Sequence, residues 1–188
     1  MKRVVLVNGV PASGKSTLAR ALAAETGWPA LALDTVKEAL FAHLGAGDRE
    51  RNRLLGRASY QAIFAAIGDF PAGATAIVDA WFGFQPREVL VGHLQRAGVE
   101  RVVEVWLRAS PELVGARYAE RAKRRIDGHP GLEYVPELEE LARRAAPLGG
   151  FPLIEVDAQS AWQIRELADE ARRLLGAGRA APADPRTS

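Results

Sequence analysis

Cysteine is absent from all 188 residues. That excludes disulfides, thiolate metal centres and a cysteine nucleophile. The three histidines, His43, His93 and His129, share no metal-ligand spacing. Neither G-x-S-x-G nor H-E-x-x-H occurs, which argues against the serine-hydrolase elbow and the zincin helix. The N-K-x-D motif with which switch GTPases read their base is missing as well. No apolar run approaches the roughly 20 residues of a membrane span. The first residues lead straight into a strand pattern with no signal-peptide pattern, so a cytoplasmic location is expected. No internal repeat is visible. Lysine is scarce: Lys2, Lys15, Lys37 and Lys123 are the only ones, and the other 21 of the 25 basic residues are arginine. Such an Arg- and Ala-rich composition resembles high-GC coding, so a single arginine carries little functional meaning.

What is present fits one soluble domain with a core of its own. Hydrophobic residues make up 48% and charged residues 26%, both ordinary for a globule. A net charge of +2 is too small to be a nucleic-acid footprint.

The strongest motif is Gly9-Val10-Pro11-Ala12-Ser13-Gly14-Lys15-Ser16, a full match to the phosphate-binding pattern G-x-x-x-x-G-K-[ST]. Glycine at positions 9 and 14 allows a turn that a Cβ would block, so that successive N–H groups converge on one anion. The positive end of the following helix, beginning near Thr17, adds to that nest. Lys15 supplies a mobile point charge for the β- and γ-phosphates, and the Ser16 hydroxyl is placed to ligate Mg²⁺. The flanks agree. Arg3–Asn8 is a short apolar run that predicts a buried parallel strand, and Thr17–Thr26 predicts a helix closed by Gly27.

Strand and helix patterns then alternate along the chain. The remaining strands are expected at Pro29–Leu33, Thr75–Val78, Arg101–Leu107 and Leu153–Val156, with Asp34, Asp79 and Asp157 at or just past three of their ends. Helices are expected at Thr35–His43, Arg49–Asp69, Pro86–Ala97, Ser110–Arg124, Pro136–Ala145 and Ser160–Leu175. In the long helix Arg49–Asp69, Leu54, Leu55, Ala58, Ile63, Ala66 and Ile67 make the apolar stripe. The pattern implies an α/β three-layer sandwich, a parallel sheet with helices on both faces. It spans residues 1–175, with 176–188 as a frayed Ala/Pro/Gly-rich tail. Ligands of such sheets bind beyond the carboxyl ends of the strands. That rule places the loop from Gly9 to Ser16, Asp34, Asp79 and Asp157 along one crevice.

Three segments carry a family resemblance: Asn8–Ser16, Leu33-Asp34-Thr35-Val36-Lys37-Glu38-Ala39-Leu40 and Ile77-Val78-Asp79-Ala80-Trp81-Phe82. With them the chain resembles a P-loop kinase of the nucleoside-monophosphate-kinase-like group, within it the chloramphenicol phosphotransferase, zeta-toxin and small AAA-type kinase branch. The likeness runs from about Arg3 to Arg173 and fades between Gly45 and Pro71. It implies the strand order 2-3-1-4-5 of the P-loop NTPase fold, a lid at about 117–135, Mg·ATP as donor and a hydroxyl as acceptor.

Each remaining polar residue has a functional and a structural reading. Asp34 is a base, or an orienter, for the acceptor hydroxyl, the role of the matching family position, or else it caps the next helix. Lys37 contacts substrate or lines a solvated face. Asp79 holds Mg²⁺ or bonds the substrate, or it belongs to the turn after its strand. Arg117 and Arg121 share one helix face. In related kinases an R-x-x-x-R pattern stacks one arginine on adenine and brings the other to the phosphates. A solvated helix is the alternative, and Arg124 and Arg125 are weaker candidates. Asp157 matches the place where such kinases hold adenine through backbone groups. Trp81 and Phe82, with Phe84, form a binding platform or part of the core. Tyr60 reads as packing, and His129 as part of a surface turn.

The function expected is an ATP-dependent phosphotransferase acting on a hydroxyl of a small molecule, an antibiotic such as an amphenicol or a sugar or nucleotide sugar. No nucleic-acid or membrane partner is expected. A polynucleotide 5′-hydroxyl kinase, a nucleoside monophosphate kinase using Arg49, Arg51, Arg53 and Arg57, and a nucleotide-binding ATPase or switch are the alternatives.

Overall fold

A computed structural model describes residues 1–45, 47–122 and 131–176. The expected lid and its Arg124, Arg125 and His129 therefore lie partly or wholly outside the described residues, and so does nearly all of the expected tail.

Five strands form one parallel sheet: β1 (Lys2–Asn8), β2 (Ala30–Ala32), β3 (Thr75–Asp79), β4 (Val99–Arg108) and β5 (Leu153–Asp157). Their order is β2-β3-β1-β4-β5, as expected. Strand β1 is central and its residues alternate between two cores, because successive side chains point to opposite faces. Val5 and Val7 face the first core, with Leu18, Ala19 and Leu22 of α1 (Lys15–Thr26). Val114 and Tyr118 of α5 (Pro111–Ala122), Leu138 of α6 (Val135–Arg144) and Ala168 and Ala171 of α7 (Ile164–Leu174) complete that side. Val4 and Leu6 face the second core, with Tyr60, Ile63, Phe64 and Ile67 of α3 (Arg49–Gly68) and Leu90 and Leu94 of α4 (Arg87–Arg96). The helix α2 (Leu33–Leu44) packs beside α3 and buries Phe41. The result is the expected three-layer sandwich. Among the described residues no helix is long and apolar enough to cross a membrane.

Element boundaries moved where side chains took over from pattern. Strand β2 ends at Ala32, and α2 begins at Leu33 with Ala32 as its N-cap and no side-chain cap bond. Asp34 is therefore not a cap. It lies inside the first helical turn, where a negative charge suits the helix dipole. Helix α7 starts at Ile164, four residues later than expected, because the Trp162 indole N–H donates to the Asp157 carbonyl at 2.9 Å and folds this stretch into a turn. Pro86 occupies the N-cap of α4, not its first turn. Ser110 does cap α5, accepting from the Leu113 N–H at 3.2 Å.

The stripe of α3 is also rotated from the sequence reading. Leu54, Ala58 and Ala66 are exposed, and Tyr60 and Phe64 take the inner positions. Tyr60 meets Phe64 at 5.1 Å and Phe82 at 5.9 Å between ring centroids. Phe64 is 2% exposed and stacks on His93 at 5.6 Å. Replacing Phe64 with Ala is expected to cost about 3–5 kcal/mol in urea unfolding, the range for a fully buried aromatic. Leu54→Ala, at an exposed position, is expected to stay within about 0.5 kcal/mol.

Candidate active site

The P-loop leaves β1 at Asn8 and enters α1 at Lys15. Two glycines make the loop possible. Gly9 has φ +150, and a Cβ there would sit 2.7 Å from the Leu107 carbonyl oxygen. Gly14 has φ +111 with an Arg117 nitrogen 3.3 Å from where its Cβ would be. Both conformations disfavour any side chain. Ala12 is left-handed too, at φ 65, the one described non-glycine residue with positive φ. Lys15 is nearly buried, and its Nζ donates to the Val10 carbonyl at 2.9 Å across the loop. Val10 and Ser13 are themselves buried, Val10 within the first core. The Ser13 hydroxyl is buried without a hydrogen-bond partner.

The loop is anchored from behind by a polar relay that sequence reasoning missed. Asn8 Oδ1 accepts from the Gly9 N–H at 2.8 Å and from the Phe82 N–H at 3.2 Å. Its Nδ2 donates to Glu104 Oε1 at 2.8 Å. The same carboxylate accepts from the Leu148 N–H at 3.1 and 3.0 Å. Glu104 is 1% exposed. Burial pushes its carboxyl above the usual range, against the hydrogen bonds from Asn8 and Leu148. The available signal was one acidic residue inside the apolar run Val102-Val103-Glu104-Val105-Trp106.

A cleft of about 1500 Å³ opens beyond the carboxyl ends of β1, β2 and β3. Pro11, Ala12, Gly14, Lys15, Ser16 and Thr17 form one side of it, and Asp34, Lys37, Asp79, Trp81, Arg117 and Arg121 also reach it. Asp79 is 5% exposed and lies near the Ser16 hydroxyl. Burial raises its pKa, the Lys15 charge and the polar Ser16 side chain oppose that, and the nearby Asp34 charge adds to it. Asp34 pairs with Arg121 Nη2 at 3.3 Å, both side chains partly open to solvent. Arg117 donates to the Ser13 carbonyl at 2.7 Å and to the Ala158 carbonyl at 3.4 Å, tying α5 to the P-loop and to the exit of β5. Lys37 Nζ lies over the Phe41 ring at 5.3 Å from its centroid.

Of the expected site residues, Phe82 is buried in the core and the Asp157 side chain is outside the cleft lining. Phe82 is 2% exposed and packs on Tyr60 in the second core, so it is not part of a platform in the cleft. Trp81 and Phe84 reach the cleft instead. Asp157 does not line it. Its side chain accepts from the Gln159 N–H at 2.8 Å and pairs with Arg108 at 3.1 Å, and its carbonyl takes the Trp162 indole. These bonds close a turn and leave its side chain occupied with the fold.

A carboxylate whose folded pKa is raised binds its proton more tightly folded than unfolded, so stability falls as pH rises through that pKa. Glu104 therefore makes the protein lose stability as pH rises from the ordinary carboxylate value through its own raised one. Urea unfolding across this range is expected to give a shallower slope for Glu104→Gln, which keeps an oxygen for Asn8.

The likenesses to known proteins agree with this geometry. A candidate kinase from Chloroflexus aurantiacus is 26% identical, with a TM-score of 0.75 over 93% of this chain and 98% of that one. The tunicamycin resistance protein of Deinococcus radiodurans is 19% identical, with a TM-score of 0.58 over 97% of this chain and 100% of its own. Shikimate kinase from Bacteroides thetaiotaomicron is 19% identical, with a TM-score of 0.56 over 93% and 98%. The last two likenesses bear on the fold alone. No curated protein matches the chain. Residues 4–137, well over half of the chain, match a family model described as an AAA domain, and the chain belongs to that family.

Proposed function

We propose that the protein is an ATP-dependent phosphotransferase that moves the γ-phosphoryl group of ATP to a hydroxyl of a small molecule. The observation that carries this is one cleft holding both halves of the chemistry. The P-loop with the Ser16–Asp79 pair lines it, and so does the Asp34–Arg121 pair. Similarity to the Chloroflexus candidate kinase supports the same reading.

The β- and γ-phosphates would sit in the nest of N–H groups from Gly9 to Thr17, with Lys15 exchanging the Val10 carbonyl for phosphate oxygens. Ser16 and Asp79 offer hard oxygen donors side by side, a pair that suits Mg²⁺. The ion, when bound, would neutralise charge developing between the β- and γ-phosphates. Asp34 would accept the proton of the acceptor hydroxyl as its oxygen forms the new bond to phosphorus. The bond from phosphorus to the β–γ bridging oxygen breaks, and ADP leaves with that oxygen. Arg121, already paired with Asp34, would draw the carboxylate and the transferring group together by bidentate contacts. Trp81 and Phe84 would offer apolar surface to the acceptor, with Lys37 on the α2 side. Arg117 is held on backbone carbonyls between the P-loop and the β5 exit, a position that suits contact with the nucleotide. The acceptor, an antibiotic such as an amphenicol or a sugar, is the open part of the proposal.

³¹P NMR of the protein with Mg·ATP and pooled aminoglycosides, amphenicols, sugars, nucleosides and a short oligonucleotide tests the reading. A new phosphomonoester signal is expected. ADP and free phosphate without it would favour an ATPase. Lys15→Ala is expected to abolish transfer. Asp34→Asn is expected to keep ATP affinity while turnover drops by about two decades or more, as loss of a positioned base does. Wild-type turnover in Asp34→Asn would remove the base from the mechanism.

A further inference from the structure

We infer that Glu104 is a positioning residue for nucleotide binding: it fixes which way the Asn8 amide points, and through that amide it sets the phosphate nest against the exit of β3. This deepens the kinase reading and rests on one part of it, the binding of a nucleotide by the P-loop.

Backbone pairing stops short of this junction. The β1–β3 ladder runs in register from Arg3 and Thr75 to Val7 and Asp79. One more bond, from the Ala80 N–H to the Val7 carbonyl at 3.3 Å, closes it. Past that point β1 turns into the P-loop at Gly9, and the other chain turns toward Phe82. The Asn8 side chain continues the ladder there. Its oxygen takes one N–H from each departing chain, Gly9 at 2.8 Å and Phe82 at 3.2 Å.

Only one orientation of the amide does this. A carboxamide has an accepting end and a donating end of nearly the same size. Turned over, its NH₂ would face two N–H donors, and both would lose their partner in the interior. Glu104 selects the orientation. An ionised carboxylate only accepts, so it takes the NH₂ end, at 2.8 Å, and leaves the oxygen to the backbone.

The sheet puts the two side chains together. Glu104 is opposite Leu6 in the β1–β4 register, and Asn8 lies two residues beyond Leu6 on the same face. The Leu148 N–H donates to both oxygens of Glu104, at 3.1 and 3.0 Å, and so holds the carboxylate in turn. Asn8 is 0% and Glu104 1% exposed, so bulk water replaces none of these partners. An apolar residue of similar volume would fill the same space without desolvating a charge. An acid among Val102, Val103, Val105 and Trp106 makes sense through the direction it imposes on Asn8.

Nucleotide binding draws on both chains. Gly9 opens the loop whose N–H groups receive phosphate in the kinase reading, and Asp79, near Ser16, ends the strand on the other side. A turned amide would release Gly9 and Phe82 together and loosen the spacing between nest and carboxylate.

The test is calorimetric titration of the full-length protein with Mg²⁺ and a non-hydrolysable ATP analogue, at a temperature where each variant's unfolding curve shows it folded. Glu104→Met keeps the volume and removes the acceptor, and affinity is expected to fall about tenfold or more. Glu104→Gln keeps an oxygen for Asn8 and Leu148, and is expected to hold affinity within about threefold of wild type. Asn8→Asp sets a second carboxylate against Glu104, so that one of the two must hold a proton, and a loss of about tenfold or more is expected. Adding Glu104→Gln to Asn8→Asp reverses donor and acceptor across the pair. The glutamine NH₂ then donates to the aspartate, whose oxygens still accept from Gly9 and Phe82. This double variant is expected to bind about fivefold tighter or better than Asn8→Asp alone. A role in stability alone would move the unfolding midpoints and leave the affinities level, and that result overturns the inference. A double variant no tighter than Asn8→Asp overturns it too, and this comparison decides if Glu104→Met fails to fold. Absence of analogue binding by the wild type also overturns it. Failure of the kinase reading looks different: the analogue binds with this pattern among the variants, and no phosphomonoester appears in the NMR experiment.

Discussion

A single amide, the side chain of Asn8, holds the exits of two neighbouring strands. Its oxygen accepts from Gly9, where the chain leaves β1, and from Phe82, just past the end of β3. Its nitrogen is held by Glu104 on β4, and Glu104 in turn takes the N–H of Leu148 ahead of β5. The P-loop and the segment bearing Trp81 are thus set against each other by one buried network. An apolar pair of similar shape would pack there at no desolvation cost, so the network is better understood as specifying position than as adding stability. The phosphate nest and the carboxyl end of β3 gain a fixed relation from it.

That relation matters because the cleft concentrates like charge. Asp79 is buried close enough to Asp34 for that charge to raise the cost of ionising it, with Lys15 set against it, and Asp34 is itself paired with Arg121. A site arranged this way holds carboxylates and cations close together in one cleft. The sheet and its two cores supply the rigidity that keeps the groups from relaxing apart.

Much of this was legible in the sequence for physical reasons. The P-loop was, because its glycines answer to a steric demand that no other residue meets, as Gly9 does against the Leu107 carbonyl. The strands were, because buried parallel strands must be apolar on both faces, as Val4 to Val7 are. Half-buried Asp34 and buried Asp79 both came to the cleft, since the topology carries strand ends to one edge. What escaped was set by tertiary partners. Phe82 and Phe84 are identical in type and two residues apart, yet Tyr60 draws the first into the core and meets the second at the surface. The Asp157 side chain is taken up by the Gln159 N–H and by Arg108, and its carbonyl by the Trp162 indole, partners set by the turn that follows β5 and by the neighbouring strand. Glu104 stood out only as an acid among valines, and its partners are 96 and 44 residues away in the chain.

The bond from Lys15 to the Val10 carbonyl bears on affinity. An exposed lysine meets an anion through a full hydration shell and must shed it during encounter. Lys15 is 9% exposed and already rests on a carbonyl oxygen within its own loop. Most of its surface left water when the chain folded. Capture of a phosphate there would be an exchange of one oxygen for another, with most of the ammonium's dehydration already met by the fold rather than by the binding step.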